Sequence, residues 1–195
     1  VAEHVTSGYR NISNELSITT KIDRKSDGII EYAKRKCLWD GNGDFNFCKV
    51  FSGNNEPNST RFLEGKKLLA KHSSSNSFKQ VDMFTVLRDK NSGVCRSCSA
   101  PFPSQGSQVS VLHSDKPSIH WFTGTPDPSI SLFKPFIFTK NPIISEHIRC
   151  LSENVSEPHK LYFHHSETMK QGKQVKTFLR SIEEEYTEKL NEEID

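Results

Sequence analysis

Three groups of residues in the chain could do chemistry. The first is CRSC (95–98), a pair of cysteines two residues apart. Zinc needs two further ligands at suitable spacing, and a thiol–disulfide motif needs a βαβ setting, so CxxC alone is weak. The second is His147 with His159, His164 and His165, which lack the helical HExxH spacing of a metalloprotease and read as a solvated loop. The third is Asn11 and Asn14 in RNISN, with Arg61 in STRFLEG. An amide on an apolar strand face, as Asn14 would be, could point a donor into a site, and Arg61 at a helix start could anchor an anion. Each of these residues also has an ordinary structural role open to it, as a loop tie or a surface ion pair. No Gly-rich phosphate loop, GxSxG elbow or kinase signature occurs.

The elements that must position these residues follow from periodicity. NISNELSIT (11–19) alternates apolar and polar residues and predicts a strand, with Asn14 on the apolar face and Asn11 on the other. Helices are predicted from Ser26 or Asp27 through Cys37, from Asn58 or Ser59 through His72, and from a Ser77/Gln80 capping box through Leu87. Gly65 weakens the second of these by about 1 kcal/mol relative to Ala. In the third, Val81, Phe84 and Leu87 form the apolar side. QVSVLH (108–113), SIHWFTGT (118–125) and LFKPFIF (132–138) predict antiparallel strands. The tight TPDPS connection lies between the last two, and Pro135 suits an edge or bulge because it has no donor. Residues 139–172 are polar and read as an irregular linker. A terminal amphipathic helix is expected over 173–195, with Val175, Phe178, Leu179, Ile182, Tyr186 and Leu190 as its stripe and EEEYTEKLNEE (183–193) as its solvated face. Segregated helices and antiparallel strands make the class α+β.

Composition narrows the partners. Lys and Arg number 26 against 24 Asp and Glu, with no basic block, which argues against nucleic acid. No apolar run is long enough to span a membrane. Five cysteines at irregular spacing fit a reducing, cytoplasmic setting better than a disulfide framework, and the sequons at Asn11, Asn58 and Asn154 then read as chance matches.

Four segments in order resemble the secernin family: RNISNELSITTKID (10–23), TRFLEGKKLLAKH (60–72), LRDKNSGVC (87–95) with QVSVLH, and HWFTGTPDPSISLFKPFIF (120–138). PHKLYFHH (158–165) is similar to the family's stretch before a terminal helix. The resemblance implies an N-terminal-nucleophile hydrolase of the cysteine dipeptidase kind, with a four-layer αββα sandwich. Residues 1–138 would be the C-terminal part of that domain. It implies a nucleophilic N-terminal Cys, absent from these 195 residues and expected in a missing N-terminal half of the same protein. Asn11 corresponds to the amide that helps bind the oxyanion, with Asn14 as the alternative, and Arg61 to an arginine near the nucleophile. Ile130 departs from the family's usual Arg. The implied substrate is a small peptide, with no cofactor and no metal. The family's link to regulated secretion leaves a second expectation, a non-catalytic regulator of exocytosis acting as a binding module.

Overall fold

The computed structural model describes residues 1–74, 77–149, 159–170 and 173–194. Cys150, the Asn154 sequon and Pro158 lie outside the described residues. The chain divides into two compact units, Val1–Phe78 and Lys79–Asp195, with the boundary just after the polar SSSNS stretch.

The first unit is helical: α1 (Ile29–Arg35), α2 (Phe47–Ser52) and α3 (Thr60–His72). Gly28, in the left-handed region at φ 76°, precedes α1 in place of the expected Ser26 or Asp27 cap. Asn46 caps α2 by accepting from Lys49 N, and Ser59 caps α3 by accepting from Phe62 N. Ala33, Cys48, Val50 and Leu69 are buried. Around them Trp39 meets Phe45 edge-on and Phe47 packs on Phe51.

The strand expected over 11–19 does not form. Ser13 and Asn14 have φ 48° and 64°, left-handed values that no extended chain can contain, and Glu15 N closes a turn onto Ile12 O. Ile12 is 63% exposed, so the alternation buries no face. Asn14 is exposed as well, against the burial its strand placement predicts.

The second unit is mixed. It contains α4 (Gln80–Leu87), β1 (Gln108–Val111), β2 (Ile119–Phe122), β3 (Lys134–Phe136), α5 (Lys160–Met169) and α6 (Lys173–Ile194). The strands form one antiparallel sheet in the order β1-β2-β3, with Val109 opposite Trp121 and Trp121 opposite Pro135. Pro135 thus sits on an edge strand, where its missing donor costs least. The described part of the chain is therefore α+β. Among the described residues no helix is long and apolar enough to cross a membrane.

The core joins Phe84, Val109, Ile119, Trp121 and Phe133. Phe84 stacks on Phe133 at 4.3 Å between ring centroids and meets Trp121 edge-on at 5.4 Å. Val86 is buried on α4 and Val81 is not, so the helix is rotated from the expected 81/84/87 side. Its start differs too: Asp82 Oδ2 accepts from Lys79 N at 2.8 Å, and helix α4 begins at Gln80. Helix α5 occupies ten residues of the stretch read as irregular.

TPDPS is buried throughout, from Thr125 to Ser129. A buried loop must have its backbone carbonyls satisfied, and two arginines do this. Arg88 donates to Pro128 O at 3.0 Å and Ser131 O at 3.1 Å, while Arg180 donates to Ser131 O at 2.7 Å and Ser129 O at 2.9 Å. Their charge is met by Glu183. It takes a forked pair from Arg88 at 2.7 and 2.6 Å and also accepts from Phe133 N at 2.7 Å. The buried face of α6 is therefore partly polar. Glu183 and Thr187 are buried, whereas Phe178 and Tyr186 of the expected apolar stripe are 63% and 52% exposed. The reading of 183–193 as a solvated face fails at Glu183.

Candidate functional site

Asn11 and Arg61, fifty residues apart in the chain, meet at the first turn of α3. Arg61 Nη2 donates to Ser13 O at 3.0 Å, and Asn11 Nδ2 donates to Phe62 O at 2.8 Å. Ser13 Oγ donates in turn to Asn11 Oδ1 at 2.7 Å, which fixes the amide's orientation. Glu15 closes the latch. Its carboxylate accepts from Ser59 Oγ and from Ser59 N at 3.2 Å. The Ser59 hydroxyl holds the Glu15 carboxyl below the usual carboxylate range, burial opposes this, and the Asn58 and Ser59 amides add to the lowering. The helix N-terminus is thus occupied by the chain's own anion.

The two asparagines serve different surfaces. Asn14 lines a cleft of about 450 Å³ with Ile12, Leu16 and Phe51. Asn11 lines another, of about 460 Å³, with Tyr9, Arg10, Lys21 and Lys66. One N–H of the Asn11 amide is committed to Phe62 O. The other can serve a group in this second cleft, which Glu3 also lines. Glu3 pairs with Arg10 at 2.7 Å and Lys21 at 3.2 Å, so the three basic side chains of the lining stand against one carboxylate.

Gly65 explains its own presence here. A Cβ at this position would lie 3.0 Å from Asn11 Nδ2 and 3.6 Å from Ser13 Oγ. Helix propensity alone makes Gly65→Ala stabilising by about 1 kcal/mol. The pinned Asn11 amide cancels that gain. Urea unfolding of Gly65→Ala is expected to show no stabilisation, and Gly65→Val a loss of about 1–3 kcal/mol from overpacking. A stabilised Gly65→Ala protein would mean that the latch is loose.

In the second unit CRSC converges on Asp127, a residue that sequence reasoning missed. Asp127 has φ 56° and is 2% exposed. It accepts from Ser129 Oγ at 2.6 Å, Lys90 Nζ at 3.1 Å, Cys98 N at 3.3 Å and Cys95 Sγ at 3.4 Å. Burial pushes its pKa up, but the Ser129 hydroxyl and the Lys90 ammonium outweigh it and the net shift is downward. Burial and then the Asp127 charge raise both thiols, Cys95 and Cys98, away from the thiolate form that nucleophiles and metal ligands need. This cluster staples a loop. Its signal in the sequence is Asp127 followed two residues on by Ser129, an Asx-turn pattern between two prolines.

Of the histidines, His147 and His164 meet edge-on at 5.9 Å between ring centroids. His159 Nδ1 caps α5 by accepting from Tyr162 N at 3.2 Å, and His147 and His164 are exposed. His165 hydrogen-bonds the Pro126 backbone, and burial followed by the nearby Lys134 charge lowers its pKa. Among the described residues no three His, Cys, Asp or Glu side chains are grouped to hold a metal ion. No family model matches the chain, and no solved structure matches it.

Proposed function

We propose that this chain is the C-terminal part of a secernin-like, cysteine-type dipeptidase that cleaves small peptides in the cytoplasm. Its nucleophile would be a mature N-terminal Cys upstream of Val1, in an αββα sandwich to which β1, β2 and β3 contribute one sheet. The observation that carries the reading is the Asn11–Arg61 latch. Two of the four segments that carry the resemblance, those containing RNISN and TRFLEG, are bonded to each other through Asn11 and Arg61, which the resemblance assigns to the site.

In the proposed chemistry the free α-amino group takes the thiol proton, and sulfur attacks the peptide carbonyl. Negative charge develops on the carbonyl oxygen, where the second Asn11 N–H donates. An amide already oriented by Ser13 and Phe62 loses little on reorganising, which is what makes such a donor effective. Arg61 supplies a fixed positive charge near the reacting sulfur or the substrate carboxylate. The departing amine takes a proton from the α-ammonium group. Water then releases the acid and regenerates the thiol.

Dipeptide hydrolysis by the full-length protein tests this. Asn11→Ala is expected to lower kcat by about 10²–10³, as loss of an oxyanion donor does, on top of a stability loss of about 1–2 kcal/mol from the lost Phe62 and Ser13 bonds. Asn14→Ala is expected to be near wild type. Full hydrolysis by a folded Asn11→Ala protein overturns the assignment of Asn11, and hydrolysis insensitive to a thiol blocker overturns the reaction class.

A further inference from the structure

The second unit holds a cavity that the hydrolase reading does not use. It has a volume of about 610 Å³, and its walls include Phe122, Phe136 and Phe138 on one side and Ile148 and Leu161 on the other. Leu161 N donates to His147 O at 2.8 Å, tying the 144–148 segment to the first turn of α5. Gly124 adopts φ 62°, a left-handed conformation that favours glycine, and a Cβ there would make only an ordinary 3.8 Å contact with Leu161 Cδ2. Aromatic rings continue the wall: Phe136 meets Phe138 edge-on at 4.9 Å, and His120 meets Phe138 at 4.8 Å.

Among the described lining residues, Lys134 is the one with a formal charge. Two of its ammonium hydrogens go to Thr123 O and Leu132 O, leaving a third for a ligand. His147 and His159 are the other titratable groups among the described lining residues, none of which is a carboxylate. Outside the lining, Glu183 and His165 also act on Lys134 electrostatically. An apolar chamber of this volume suits a small molecule rather than a polypeptide segment. Besides Lys134, the polar side chains among the described lining residues are Ser145, His147 and His159. One free ammonium hydrogen set in a mainly aromatic and aliphatic wall suits a monoanion with an apolar tail.

We propose that this cavity binds a small apolar monocarboxylate, its carboxylate on the Lys134 ammonium and its tail among Phe122, Phe136 and Phe138. The site stands independently of the hydrolase reading and lies wholly within the second unit.

Calorimetric titration of the full chain with sodium octanoate, and with 1-octanol as a neutral ligand of the same chain length, tests the proposal. Octanoate is expected to bind at least roughly tenfold more tightly than octanol, and Lys134→Met to bring octanoate down to the affinity of octanol. Lys134→Arg keeps the charge and is expected to keep the preference, which separates loss of charge from loss of fold. Equal affinity for the two ligands, undiminished octanoate binding by Lys134→Met, or no saturable octanoate binding would each overturn it.

Discussion

Glu183→Gln is expected to destabilise the Lys79–Asp195 unit by about 3–5 kcal/mol, the cost of removing one partner from a buried ion pair. The Glu183 side chain is only 6% exposed and is the anion for both Arg88 and Arg180. Glutamine keeps the shape and one acceptor oxygen for Phe133 N. It leaves two guanidinium groups without a counter-charge beside carbonyls 128, 129 and 131. Desolvation has already pushed Arg180 down to about 10, with the Arg88 charge adding to the shift and Glu183 opposing it. Unfolding in urea at neutral pH measures the effect. A double-mutant cycle with Arg88→Met is expected to show strong coupling, because losing both charges costs less than the sum of losing each. A Glu183→Gln loss under about 1 kcal/mol would place the pair with solvent-screened ion pairs and remove it as the support of the TPDPS loop.

Lys134 carries the second large effect. Burial lowers its pKa to about 8 from the ordinary 10.5, with Glu183 partly opposing the shift. Below pH 8 the folded and unfolded chains both hold the proton, and the folded state bears the full cost of a buried charge. Between about pH 8 and 10.5 the unfolded chain keeps a proton that the folded chain has lost, so stability rises with pH. Above 10.5 both forms are neutral and the contribution levels off. Relative to Lys134→Met, wild-type stability is therefore expected to climb by about 3 kcal/mol across that window. Parallel denaturant curves at about pH 7.5, 9 and 10.5, which span the window between the folded and unfolded values, measure the climb, and a flat difference would mean that the ammonium is solvated.

Much of the second unit was legible because its sequence signals are unambiguous. Trp121 and Phe133 in short apolar runs, separated by two prolines, can hardly be other than paired core strands, and Pro135 marks the edge. Three of the failures share one cause, polar side chains recruited by tertiary partners. Asn11, Ser13 and Glu15 look like the polar face of a strand, yet the first turn of α3 offers them backbone and hydroxyl partners, and the chain bends through left-handed Ser13 and Asn14 to reach them. Glu183 looks solvated among its acidic neighbours because nothing local announces Arg88, ninety-five residues away. Gly65 reads as a weak point in a helix until Asn11 is seen against it. At the candidate site, the sequence named the residues that meet but not which asparagine is held. That depends on which of two clefts each one lines.

The most direct test of the hydrolase proposal is the N-terminal sequence of the mature protein isolated from its source, read together with its intact mass. The proposal requires Cys as the first residue and a mass well above the 22.2 kDa of residues 1–195. A mature chain of 22.2 kDa beginning at Val1 would contradict it, since no thiol would then stand at the amino terminus to attack a peptide bond.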